Sequence, residues 1–274
     1  MISSADPFRP GLGVVAIVPA LNEQLTVGTT VAALLRAGAE SVIVVDDGSA
    51  DSTGQAAADA GAVVVQREHT GGKGAAIADG LSLARARTLE PMRERVPSAS
   101  RSPARPPARA RDRDPRVPAD LGCVMFADAD LGDSAEEISK VIAPVAAGLA
   151  DMAIAGFPAA PGSGFGLAVG LARAGVRCLC GVNLTWPLSG QRALRADLLF
   201  ALMDAGARIE RGFGFEVGLT VDWLRAGYSL TEVPTLMTHR ATGRTIAGFA
   251  HRGRQFAAVA RALAVRLRGV NSTP

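Results

Sequence analysis

Cysteine, aromatic residues and lysine are all scarce in this chain of 274 residues. Three cysteines, Cys123, Cys178 and Cys180, cannot build a disulfide framework, and Cys178 and Cys180 lack CxxC spacing and neighbouring histidines for zinc. A reducing, cytoplasmic compartment is the resulting expectation. Aromatics make up only 4%, so a core must be built from Ala, Val, Leu and Ile; with 48% hydrophobic residues there is ample material, which excludes wholesale disorder. No uncharged apolar run reaches the length of about 18 residues that marks a membrane span. The nearest, residues 165–182, is broken by Arg173 and Arg177. Asp6, Pro7 and Arg9 precede any apolar stretch, so no leader peptide is expected.

A net charge of +3 invites a nucleic-acid reading, but the charge is local. Residues 90–118 hold eight Arg and four acidic residues, a balance of +4 that leaves the rest of the chain at −1. No nucleic-acid partner is therefore expected. The same segment has seven prolines and almost nothing apolar, which predicts a disordered Arg/Pro-rich insertion in a surface loop.

Around that insertion the pattern alternates. Strands are predicted at residues 14–19 (VVAIVP), 41–45, 62–66 and 123–127, and helices at 22–37, 51–60 and 75–87. Alternation of this kind predicts an α/β fold with a mostly parallel central sheet and helices on both faces. Further on, helices are expected at 135–147, 167–180, 195–203 and 215–225, and strands at 152–157 and 230–233. The last element is an amphipathic helix over 245–267.

In an open parallel sheet, ligands sit at the carboxyl ends of the strands. Three polar clusters fall there: Pro19-Ala20-Leu21-Asn22-Glu23, Asp46-Asp47-Gly48-Ser49 and Asp128-Ala129-Asp130. Two carboxylates flanking one small residue suit a hard divalent cation, Mg²⁺ or Mn²⁺, that keeps positions open for phosphates. The competing reading is a helix N-cap with a spare acid, since Asp133 and Ser134 follow. Gly71-Gly72-Lys73-Gly74 lacks Walker A spacing, yet it offers backbone amides, a helix start and one ammonium. Lys73 and Lys140 are the only lysines, against 27 Arg, which singles out Lys73. The first strand has no glycine-rich turn, so a dinucleotide site is not expected.

VAIVPALNE, IVVDDGSADST, GGKGAAIADGL and FADADL, in this order, resemble the family 2 glycosyltransferases of the GT-A fold, a Rossmann-like nucleotide-diphospho-sugar transferase fold. The resemblance implies a nucleotide-sugar donor, UDP- or GDP-linked, and a divalent metal. It implies that Pro19, Ala20, Leu21, Asn22, Glu23, Asp46 and Asp47 hold the nucleoside, and that Asp128, Ala129 and Asp130 meet metal and diphosphate. PLSGQR (187–192), GFGFEVGL (212–219) and Thr238-His239-Arg240 resemble two branches, the polyprenyl-phosphate glycosyltransferases and the glucosyl-3-phosphoglycerate synthases. By that likeness His239 joins Asp130 and Asp128 on the metal, and Glu216 faces the donor sugar. Gly190 and Arg192 then belong with the donor, Lys73 and Arg192 supply fixed positive charge, and Glu216, Asp128 and Lys73 carry the catalysis. The acceptor is a lipid-linked or small phosphorylated molecule.

The expectation is thus one GT-A catalytic domain over residues 1–274, with a cytoplasmic location. The helix at 245–267 either packs on the domain with a solvated basic face or also rests on anionic lipid through Arg252, Arg254, Arg261 and Arg266. The alternative function is a catalytically inactive GT-A domain that binds a nucleotide or a protein. Intact Asp128, Asp130, Lys73 and His239 argue against it. Oligomeric state is not encoded in any of these motifs.

Overall fold

The computed structural model describes residues 13–93, 121–157, 166–207, 209–210, 212, 214–238 and 246–270. Seven strands join one sheet: β1 (Gly13–Ala20), β2 (Ser41–Asp46), β3 (Val63–Gln66), β4 (Leu121–Phe126), β5 (Met152–Gly156), β6 (Arg192–Arg195) and β7 (Leu230–Pro234). Their order is β3-β2-β1-β4-β6-β5-β7. Every pairing is parallel except the two made by β6, which runs antiparallel to both β4 and β5.

Strands buried on both faces read as continuous apolar runs, and β1 and β2 do so because helices cover each side. Successive side chains point to opposite faces. Ala16 and Val18 join Val31, Leu34, Ile138 and Val141 from α1 (Val27–Arg36) and α4 (Ile138–Ala146). Ile17, Ile43 and Val45 join Ile77, Leu199 and Phe215 from α3 (Lys73–Arg93), α6 (Ala196–Asp204) and α7 (Phe215–Arg225) on the other face. A third cluster unites α7 with α5 (Gly166–Cys180) and α8 (Ile246–Val270) through Val217, Val221, Val176, Val259 and Leu263. The short α2 (Thr53–Asp59) bridges β2 and β3.

Four expectations need correction. The first helix begins at Val27, not residue 22, because Asn22 takes a left-handed φ of 56° and the amides of Thr26 and Val27 both close on the Glu23 carbonyl. The helix expected from 135 is a 3₁₀ turn over Gly132–Glu137 followed by α4 from Ile138. β6 was not expected: four residues that include two Arg give no apolar signature. Finally, α3 continues through Pro91 to Arg93, so the segment 90–118 does not begin as an insertion. Residues 94–120 lie outside the described residues.

The approach of α3 to the sheet depends on Gly80. A Cβ there would lie 2.5 Å from Cγ2 of Ile17 and 3.2 Å from Cγ2 of Val45. Both neighbours are buried and β-branched, so neither can swing aside. Gly80→Ala is expected to destabilise the fold by about 1–3 kcal/mol through overpacking, despite the better helix propensity of alanine. Urea denaturation checks this, and unchanged or raised stability contradicts it.

Candidate active site

One strand end, two helix starts and the loop before β6 converge. Lys73 opens α3, Asp128 follows β4, and Glu216 sits in the first turn of α7. The Lys73 ammonium lies 2.7 Å from Asp128 Oδ1 and 3.1 Å from Glu216 Oε1. Burial alone would lower the Lys73 ammonium; the charges of Asp128 and Glu216 outweigh it and hold its pKa well above the ordinary value. Gln191 donates to Asp128 Oδ2 at 2.5 Å. Gly190 lies so close that a Cβ there would collide with the Lys73 ammonium and stand 3.2 Å from Asp128 Oδ2. Lys73, Asp128, Gly190, Gln191 and Glu216 therefore form one constellation from four separate stretches of sequence.

Asp130 is half-buried one residue beyond the buried Ala129. The turn that carries it is fixed by Thr30, which is fully buried on α1. Its hydroxyl donates to the Ala129 carbonyl at 2.9 Å and accepts from the Gly132 amide at 2.9 Å. Arg36 also reaches this turn, pairing with Asp133 and Glu136, but both pairs are solvent-exposed and contribute little.

The expected nucleoside segments are stapled together. Asn22 accepts from the Ala50 amide and donates its own amide to Ser49 Oγ, each at 2.9 Å. The Glu23 amide donates to Thr53 Oγ1 at 2.8 Å, and Glu23 Oε2 accepts from Thr26 Oγ1 at 2.8 Å. Pro19 and Ala20 end β1, and Leu21 is 41% exposed on the rim. Asp46 and Asp47 are buried. Asp46 accepts from the Ser49 amide at 2.9 Å and from Gln66 at 3.1 Å. Asp47 accepts from the amides of Gly71 and Gly72 at 2.9 and 2.7 Å, which pins the glycine loop ahead of Lys73. Gly72 makes this turn with φ 84°, a conformation open to glycine.

Arg192 is the exception among the expected residues. It is fully buried, and its guanidinium donates to the carbonyls of Ser189, Pro187 and Glu216 and to Thr220 Oγ1 at 2.6–2.9 Å. Burial pushes it down to about 10, against the pull of Glu216 and Glu232, so it stays charged at neutral pH. Its bonds bind the loop after residue 186 to α7. His239 lies outside the described residues, and among the described residues no group of three or more His, Cys, Asp or Glu is arranged as a ready metal cage. Sequence reasoning missed Thr30 and Gln191. Gln191 stood inside a recognised motif, but nothing marked Thr30 except a hydroxyl on an otherwise apolar helix face.

Residues 15–89 match the family model described as glycosyl transferase family 2. An undecaprenyl-phosphate mannosyltransferase from Micrococcus luteus is 29% identical over 239 residues, 85% of this chain and 86% of that one. Over these spans the chain is similar to the family 2 glycosyltransferases. Its fold is that of glucosyl-3-phosphoglycerate synthase from Mycobacterium tuberculosis in complex with phosphoglyceric acid, with a TM-score of 0.66 and 23% identity over 94% of this chain and 80% of that one. The same synthase with Mn²⁺, uridine diphosphate and phosphoglyceric acid gives 0.65 and 22%, covering 94% and 79%. These likenesses establish the GT-A fold. No described helix is long and apolar enough to cross a membrane.

Thr30→Val is expected to leave the buried Ala129 carbonyl unpaired, at about 1–3 kcal/mol, and the half-buried Gly132 amide without its partner. Metal-dependent donor affinity should fall, and Thr30→Ser should restore it. Calorimetry on the three proteins checks this, and equal affinity in Thr30→Val would remove Thr30 from the support of the site.

Proposed function

We propose that the chain is one catalytic unit that moves a hexose from a nucleotide-diphosphate sugar to a polyprenyl-phosphate acceptor. The observation that carries this reading is the Lys73 ammonium held between Asp128 and Glu216 beside the carboxyl end of β4, the side of an open parallel sheet on which ligands bind. Pro19–Glu23 and Asp46–Asp47 frame the nucleoside, and the Lys73 ammonium faces the diphosphate. The lipid-linked acceptor is favoured by the mannosyltransferase relative, which aligns over most of both chains.

The donor set fits a divalent metal. Asp128 and Asp130 flank a buried alanine on a turn held rigid by Thr30, and carboxylate oxygens suit Mg²⁺ or Mn²⁺. Structures of the synthase contain Mn²⁺ or Mg²⁺ together with uridine diphosphate, which supports the same choice here. His239, by its resemblance, would complete the set. When bound, the ion would neutralise charge on the leaving diphosphate.

The rest is the work of the chain's own groups. Lys73 supplies a second, fixed positive charge where the leaving group becomes more negative. Gln191 and Gly190 keep Asp128 and Lys73 aligned. An acceptor phosphate already carries a nucleophilic oxygen and needs no proton removed, so Glu216 is assigned to orienting Lys73 and the donor hydroxyls. A hydroxyl acceptor would instead require a base, and Glu216 is the carboxylate in reach of the site.

Three outcomes are expected. With Mn²⁺ and a panel including UDP-glucose and GDP-mannose, the protein should release nucleoside diphosphate, faster when polyprenyl phosphate is added than when 3-phosphoglycerate is. Asp130→Ala should abolish metal-dependent donor binding without lowering the melting temperature. Glu216→Gln should slow transfer by about 10- to 100-fold, the worth of one hydrogen bond to a charged group; a loss beyond that range would mark Glu216 as a base and overturn the phosphate acceptor. No release with any donor, and no binding by calorimetry, would sink the enzyme reading.

A further inference from the structure

Two packed helices share an unusual composition. The 15 residues of α5 and the 25 of α8 contain no Asp or Glu, in a chain with 26 acidic residues. The helices pack on each other at Gly175, where a Cβ would collide with Leu263, and both rest on α7. Their outer stripes therefore adjoin along one seam. On α5 that stripe is Leu167, Gly170, Arg173, Ala174, Arg177 and Cys178, all exposed at helical spacing. On α8 it includes Arg254, Arg261, Val265 and Leu267, the last two 59% and 50% exposed; Leu167 is 82% exposed.

Arg266 does not belong to this stripe, contrary to the expectation from sequence. It is buried and pairs with Asp222 and Glu210, and it also donates to the Ala262 carbonyl at 3.1 Å. Glu210 and Asp222 are thus engaged inward with Arg266. A surface groove of about 610 Å³ opens beside the stripe, lined by Arg173, Ala174, Arg177, Cys178, Asn183 and Leu184. Arg173 donates to the Thr185 carbonyl at 3.2 and 2.6 Å, which holds the guanidinium at the groove. Arg173 and Arg177 are one turn apart, a spacing that lets both approach a single phosphate.

We propose that the outer face of the α5–α8 pair docks on an anionic lipid bilayer, with phosphate headgroups at Arg173 and Arg177 and the exposed Leu167, Val265 and Leu267 at the acyl boundary. A basic, acid-free stripe interleaved with apolar side chains is the pattern of helices that lie in a membrane interface. A second copy of this chain is a poor fit, because a twofold contact would set arginine against arginine. The docking extends the lipid-linked acceptor proposed above: it brings the chain to the phase that holds such an acceptor without a membrane span. It does not require that any donor be bound.

The test is flotation of the full chain with vesicles of phosphatidylcholine alone and of phosphatidylcholine and phosphatidylglycerol in equal parts, at low and high salt. Flotation is expected only with phosphatidylglycerol and mainly at low salt. Arg177→Gln with Arg261→Gln should lower partitioning about 30-fold, since each basic residue near such a surface is worth roughly fivefold. Arg177→Lys with Arg261→Lys should float like the parent, which separates charge from any effect on folding. Nucleoside diphosphate release from water-soluble donors should be the same in all three proteins, so failure of docking and failure of the transferase reading are distinct results. Absence of flotation at low salt, equal flotation with neutral vesicles, or full flotation of the glutamine pair would overturn the proposal. So would a dimer in solution that the glutamine pair dissociates, which would assign this face to a second copy.

Discussion

One ammonium organises the rim of this molecule. Lys73 reaches Asp128 at the end of β4 and Glu216 at the start of α7, and Gly190 leaves room for it. A half-buried Asp128 and a buried Glu216 facing each other without a cation would be costly; one lysine between them makes the arrangement stable and leaves a net charge of −1. With Asp130 added, the rim carries more carboxylate than ammonium, which is the balance a divalent ion needs. Asp47 holds the glycine loop that launches Lys73, and Thr30 holds the turn that carries Asp130. Each functional group thus depends on a buried partner from a distant part of the chain.

That dependence continues outward. Gly72, in the loop before Lys73, lies against the backbone of Gly212, with a Cβ on Gly72 falling 3.8 Å from the Gly212 amide. Two residues earlier, Glu210 pairs with Arg266 of α8. Burial alone would lower the Arg266 guanidinium, but its bonds to Asp222 and Glu210 outweigh that and raise it. Helix α8 is consequently tied by charge to the stretch that borders the glycine loop before Lys73.

Much of the frame was legible in the sequence for a simple reason. Strands buried on both faces need runs such as VVAIVP and SVIVV, and the polar residues that end those runs must lie on one rim. Lys73, Asp128 and Glu216 were all named from sequence, and the structure brings them within 3.1 Å of one another's charged atoms through Lys73. What was hidden depends on topology. β6 is four residues with two arginines, and only its neighbours β4 and β5 make it a strand. Arg192 was expected beside the donor because it stands in PLSGQR, one of the motifs that carry the resemblance; its burial becomes visible only once α7 lies over it. Thr30 is 99 residues from the carbonyl it holds, a distance no local pattern encodes. Arg266 misled in the same way, since its partners Glu210 and Asp222 come from a loop and a different helix.

The central claim is that Lys73 is the fixed positive charge of a nucleotide-sugar site and not merely a structural cation. The most direct measurement compares Mn²⁺-dependent nucleoside diphosphate release by the parent and by Lys73→Met, with circular dichroism and native-state melting recorded on both. A loss of about 100-fold or more in turnover by a folded Lys73→Met protein is the predicted result, in line with the removal of one preorganised electrostatic group. Turnover within about threefold of the parent, far below the effect such a group exerts, would contradict the account.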